Sequence, residues 1–68
     1  MSFERNKTNV KEARFKRNMS QDVLRLKTGI NNAIISRIER GLLLASDDQK
    51  ERIARALDYE IDWLFPER

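Results

Sequence analysis

Polar and apolar positions return along this chain at the three- and four-residue spacing of α-helices, and the pattern breaks at short corners rich in Ser, Asn and Gly. Val10, Ala13, Arg14 and Arg17 share one helical face. Asn9 followed by Glu12 makes a start signal for that helix, although Ser2 offers an earlier one, and Asn18 suits its end. Ser20 then caps a second helix over 21–28, which Gly29 closes with a left-handed turn. Ile30 points inward, and Asn31 caps a third helix over 32–40 that ends at Gly41. Ser46 with Gln49 forms a capping box for a fourth helix over 47–57, and Asp47 and Asp48 suit the positive end of its dipole. A last turn over 61–65 brings Trp63, Leu64 and Phe65 to the bottom of the core before Pro66 stops it. No repeat or low-complexity segment interrupts this order. The expectation is an all-α, five-helix fold with one domain over 1–68.

A chain of 68 residues buries only about 60% of the surface that its unfolded form exposes, so its core is thin. Cysteine and histidine are both absent, which excludes disulfide staples and the usual zinc ligand sets. The acids cluster at helix ends, no nucleophile has a visible base, and no glycine-rich phosphate loop occurs. Neither an enzyme nor a cofactor or metal is expected. The longest apolar run, Leu42-Leu43-Leu44-Ala45, falls far short of the roughly 20 residues of a membrane helix, and no signal-peptide pattern is visible. A soluble cytoplasmic protein is the expectation. Charge changes the picture more. Residues 1–20 carry six Lys/Arg against two Asp/Glu, residues 21–41 four against two, and residues 42–68 four against seven. The basic first two-thirds suits an anionic partner, nucleic acid above all, while a randomly solvated surface would give the same counts.

Placed on a wheel at about 100° per residue, the third helix puts Ile34, Ile35 and Ile38 on one side. Asn32, Ala33, Ser36, Arg37 and Arg40 fall on the other. Asn pairs geometrically with adenine edges, Arg with guanine edges, and a small apolar side chain meets a thymine methyl, so this face carries the chemistry of major-groove readout. An ordinary solvated face is the alternative. Arg14 lies within the apolar stripe of the first helix, where an unpaired charge is costly. Glu39, between the core and polar faces of the third helix, is positioned to meet it in a charge-assisted pair; separate snorkelling to water is the alternative.

With these residues in view, Ser20 to Gly41 resembles the helix-turn-helix of the Cro/cI family, the lambda-repressor-like (XRE) DNA-binding domains. Ser20-Gln21, Leu24, Gly29-Ile30 and Ile35-Ser36-Arg37-Ile38-Glu39-Arg40-Gly41 carry the likeness. Ile53-Ala54-Arg55-Ala56-Leu57 and Asp62-Trp63-Leu64-Phe65-Pro66 extend it in weaker form to nearly the whole chain. The resemblance implies that Gln21 contacts a DNA phosphate and braces the first side chain of the third helix. Asn31 would cap that helix and touch the backbone. Asn32, Ala33 and Arg37 would face base edges with Ser36 close by, and Arg40 with the backbone around Gly41 would hold the next phosphates. It also implies an internal ion pair between Arg14 and Glu39.

Four features depart from the family pattern. Arg25 stands where a small residue is usual and must bend its stem outward. Thr28 replaces a larger apolar residue, which loosens or re-angles the contact between the two helices. Ala33 is short for a reading position. Leu42-Leu43-Leu44 is unusually apolar, and these leucines either fold back over the fourth helix or join a subunit interface. The implied function is a small dimeric repressor on an inverted-repeat operator in double-stranded DNA, with RNA polymerase or a toxin as further possible partners. Family dimers commonly form through the carboxyl-terminal helix and its neighbours, which makes Trp63 and Phe65 candidates, though both suit the core equally. A prokaryotic or phage origin is implied. The alternative is a protein-interaction module or antitoxin-type adaptor on the same fold, with weak DNA binding.

Overall fold

In the computed structural model, which describes residues 7–66, the chain runs through five helices. They are α1 (Val10–Lys16), α2 (Gln21–Thr28), α3 (Asn32–Glu39), α4 (Asp47–Leu57) and α5 (Ile61–Leu64). No strand occurs among the described residues. The earlier start at Ser2 lies outside them.

Local capping fixes most of these boundaries. Ser20 Oγ accepts from the Val23 amide at 3.1 Å, and Asn31 Oδ1 accepts from the Ala33 amide at 2.6 Å. At α4 both halves of the capping box form: Ser46 Oγ accepts from the Gln49 amide at 3.1 Å, and Gln49 Oε1 accepts from the Ser46 amide at 3.0 Å. Two ends depart from expectation by one residue, since Arg40 is the C-cap of α3 and Phe65 the C-cap of α5. Asn18, at φ 54°, is the left-handed residue that follows α1.

Asn9 precedes α1 as expected but does not cap it with its side chain. Its Nδ2 donates to the Trp63 carbonyl at 2.7 Å and its amide to the Leu64 carbonyl at 2.8 Å. The Asn9 amide, which Glu12 would accept from in a capping box, is thus engaged by Leu64, while the Trp63 carbonyl orients the Asn9 side chain.

The core draws Val10 and Ala13 from α1, Leu24 from α2, Ile35 and Ile38 from α3, Ile53, Ala54 and Leu57 from α4, and Leu64 from α5. Ile30, Ala45 and Phe65 close it from the connections. Trp63 does not join them. It is 37% exposed and stacks on Tyr59 with ring centroids 4.9 Å apart. On a single turn, one step of about 100° separates it from Leu64, which takes the inward position.

At the α2–α3 corner no buried side-chain polar atom of the described residues lacks a partner. Gly29 takes φ 74°, a left-handed conformation that an L side chain rarely adopts. Thr28 is buried, but its hydroxyl donates to the Leu24 carbonyl at 2.8 Å and accepts from the Ile30 amide at 3.1 Å. A polar residue thus fills a usually apolar place without an orphaned group. From α4, Arg52 Nη1 donates to the Thr28 carbonyl at 3.2 Å, so the corner is held against the scaffold. Arg25 stays half-buried and turns along its own helix to pair with Asp22 at 3.0 Å.

The three leucines after α3 do not fold back over α4. Leu42, Leu43 and Leu44 are 43%, 36% and 68% exposed. Gly41 and Ala45, on either side, are the buried anchors of this loop, which leaves the residues between them facing solvent.

Candidate nucleic-acid interface

The orientation of α3 follows from its sequence. Ile35 and Ile38 are fully buried and Ile34 half-buried, so Asn32, Ala33, Arg37 and Arg40 are left exposed, with Ser36 half-buried beside them. Eight helical residues span about 12 Å, comparable to the width of the B-DNA major groove. Asn31 is exposed at the helix entrance, where its side chain orders the first turn.

What holds this face in place is a cluster reaching α3 from two other helices. Arg14 Nε donates to Glu39 Oε2 at 2.7 Å and Arg14 Nη2 to Glu39 Oε1 at 3.2 Å, a two-pronged pair whose side chains are only 8% and 3% exposed. A third Arg14 nitrogen, Nη1, donates to the Met19 carbonyl at 3.0 Å, and the Phe15 ring lies 5.0 Å from the guanidinium. The structure therefore joins Arg14 to Glu39 directly rather than letting each reach water.

Gln21 enters the same cluster. Its Nε2 donates to Glu39 Oε1 at 3.1 Å, so its brace runs to the end of α3 and not to the first side chain of that helix, Asn32. The expected contact is replaced because the carboxylate is a stronger acceptor within reach. One Nε2 hydrogen remains for another acceptor.

The electrostatic result is simple. Glu39 is the only acid on α3, and Arg14 and Gln21 engage it inside the domain. Arg37 and Arg40 present their charge outward with no acid of the same helix beside them. Such a face favours an anionic partner.

Two supporting residues escaped the reading of the sequence. Arg52, four residues after its partner Asp48, braces the corner through Thr28. Arg17 donates from Nε to the Leu57 carbonyl and from Nη2 to the Asp58 carbonyl, both at 2.8 Å, and so caps α4 from the end of α1. The spacing Asp48 to Arg52 was a local signal for the first; for Arg17, which simply continued the stripe of α1, none existed. No helix among the described residues is long and apolar enough to cross a membrane.

Comparison with known proteins agrees with this geometry. The helix-turn-helix family model matches residues 10–64. The fold is also similar to the crystal structure of the restriction-modification controller protein C.AhdI from Aeromonas hydrophila, with a TM-score of 0.78 and 30% sequence identity over 84% of this chain and 86% of that one. No curated protein sequence matches the chain. From the buried brace, the outward face of α3 and a family match spanning all five helices, it follows that the chain belongs to the helix-turn-helix family of lambda-repressor-like, DNA-binding transcription regulators.

Proposed function

We propose that this regulator acts as a homodimer that occupies an inverted repeat in double-stranded DNA and represses by excluding polymerase. The observation that carries this reading is the outward face of α3, with Asn32, Ala33, Ser36, Arg37 and Arg40 presented while Glu39 is turned into the domain. In each copy α3 lies in the major groove of one half-site. Arg37 offers a guanine a paired contact, Asn32 offers one to adenine, and Ala33 leaves room for a thymine methyl, with Ser36 alongside. Gln21, Asn31 and Arg40 take the flanking phosphates and fix the register. The dimer supplies the length of sequence that one short helix lacks. Similarity to a controller protein supports a regulatory role for so small a chain.

A second reading, an adaptor for a protein partner such as a toxin, draws on Phe15 and Leu26, which are 61% and 68% exposed. Selection of bound duplexes from a randomised pool at about 150 mM salt separates the two, since weak electrostatic binding is partly screened there. Recovery of an inverted repeat with half-sites about 10 base pairs apart, or a multiple of that, supports the proposal. A pool without an enriched motif overturns it and favours the adaptor.

A further inference from the structure

We infer that the two copies meet through the loop between α3 and α4, with Leu42, Leu43 and Leu44 packed about the two-fold axis. The inference rests on the dimer proposed above and names its contact surface. These three leucines are consecutive, exposed and anchored on both sides: Gly41 turns the chain at φ 76°, the Leu42 amide donates to the Arg37 carbonyl at 2.8 Å, and Ala45 is buried at 6% exposure. A rigidly held apolar surface loses little freedom when it associates.

A second copy is the occupant that the charges select. Between Arg40 and Asp47 the loop carries no charged side chain, and the two flanks have opposite sign. In a two-fold contact residue i meets j and j meets i. An antiparallel register centred between Leu43 and Leu44 sets Leu43 against the partner's Leu44 and Arg40 against the partner's Asp47. The segment is therefore complementary to itself in both apolar surface and charge. Asp47 is exposed and makes no ion pair among the described residues, whereas Asp48 is engaged by Arg52 at 2.9 Å. Arg40 has five donors in a planar fork, enough for a partner carboxylate on one edge and a phosphate on another.

The other aromatic and apolar surface near the end of the domain is less available. Trp63 already stacks on Tyr59, and Lys16 Nζ lies 5.7 Å from its ring. Position also matters. The loop follows α3 directly and is bonded to its last turn, so a contact there sets the separation of the two recognition helices and with it the spacing of half-sites.

Sedimentation equilibrium of the full chain without DNA tests the inference, with far-UV circular dichroism confirming that each variant is folded. Leu44→Glu is expected to weaken dimerisation by at least about tenfold, because it sets an unpaired charge against the partner's Leu43 beside the axis. Trp63→Ala is expected to leave it unchanged. Asp47→Arg should weaken the dimer, and Arg40→Asp combined with Asp47→Arg should restore it. A Leu44→Glu chain that dimerises like wild type, or a Trp63→Ala chain that dissociates in its place, overturns the interface while leaving the dimer standing. A double variant that stays as weak as Asp47→Arg alone overturns the register. Wild-type chain that remains monomeric at every concentration removes the dimer itself, and the interface with it.

Discussion

Glu39→Ala removes the carboxylate that accepts two hydrogen bonds from Arg14 and one from Gln21. Arg14, 6% exposed, keeps only the Met19 carbonyl as an acceptor. Breaking a buried pair on one side costs about 3 to 5 kcal/mol, since the remaining charge stays desolvated. A domain of 68 residues has about 3 to 10 kcal/mol of stability in all, so the loss is comparable to the whole. At this size each kcal/mol moves the melting temperature by about 4 to 8 °C, which sets the expected drop at about 12 °C or more. Thermal unfolding followed by circular dichroism, without DNA, measures it. The double variant Arg14→Met with Glu39→Leu should recover most of the loss, because an apolar pair of similar volume leaves no charge to desolvate. Two results would refute the reasoning. A single variant within about 2 °C of wild type would mean the pair contributes well under 1 kcal/mol. A double variant no better than the single would mean the cost lies in packing and not in the orphaned charge.

Arg37→Ala should lose about 1 to 3 kcal/mol on the selected operator and relax preference at one position per half-site; equal loss on random duplex, read by fluorescence anisotropy, would contradict base reading. Arg40→Ala should weaken every duplex alike and flatten the plot of log K against log salt by about one unit, which a salt titration checks. For Gly29→Ala the new methyl would sit 3.6 Å from Arg52 Nη1, an ordinary contact, so the cost comes from the positive φ. About 1 to 2 kcal/mol is expected in urea unfolding, and an unchanged midpoint would show that the corner relaxes freely.

The reach of sequence reasoning here followed the range of the forces involved. The bounds of α2 and α4 were legible because Ser20, Gly29, Ser46 and Gln49 act within one helical turn of themselves. The partners Arg14 and Glu39 were legible for a different reason. A charge inside an apolar stripe demands a counter-charge, and the wheel left one suitable acid on α3. The side-chain partners of Asn9 and Gln21 were not legible because they lie far away in sequence, and the exposure of Trp63 was not legible because packing decides which residue of a single turn faces inward. Asn9 is drawn to α5, Trp63 to the ring of Tyr59, and Gln21 to the far end of α3. For the leucine loop, pattern alone left folding back and exposure equally open. The structure decides it: Gly41 and Ala45 are buried, and the side chains between them face outward.

Asn9 has a mechanical consequence for the molecule. Its bonds to the carbonyls of Trp63 and Leu64 turn the domain into a closed ring of chain, with α2 and α3 on the arc opposite the clasp. Closing so long a loop costs little more than closing one half as long, about 0.6 kcal/mol, but the contact is non-local and forms after its neighbours. Tension between the two ends would therefore load the clasp and the core contacts of Val10 and Leu64 beside it before it reached α2 and α3. A short covalent tether across the same gap would take that load instead.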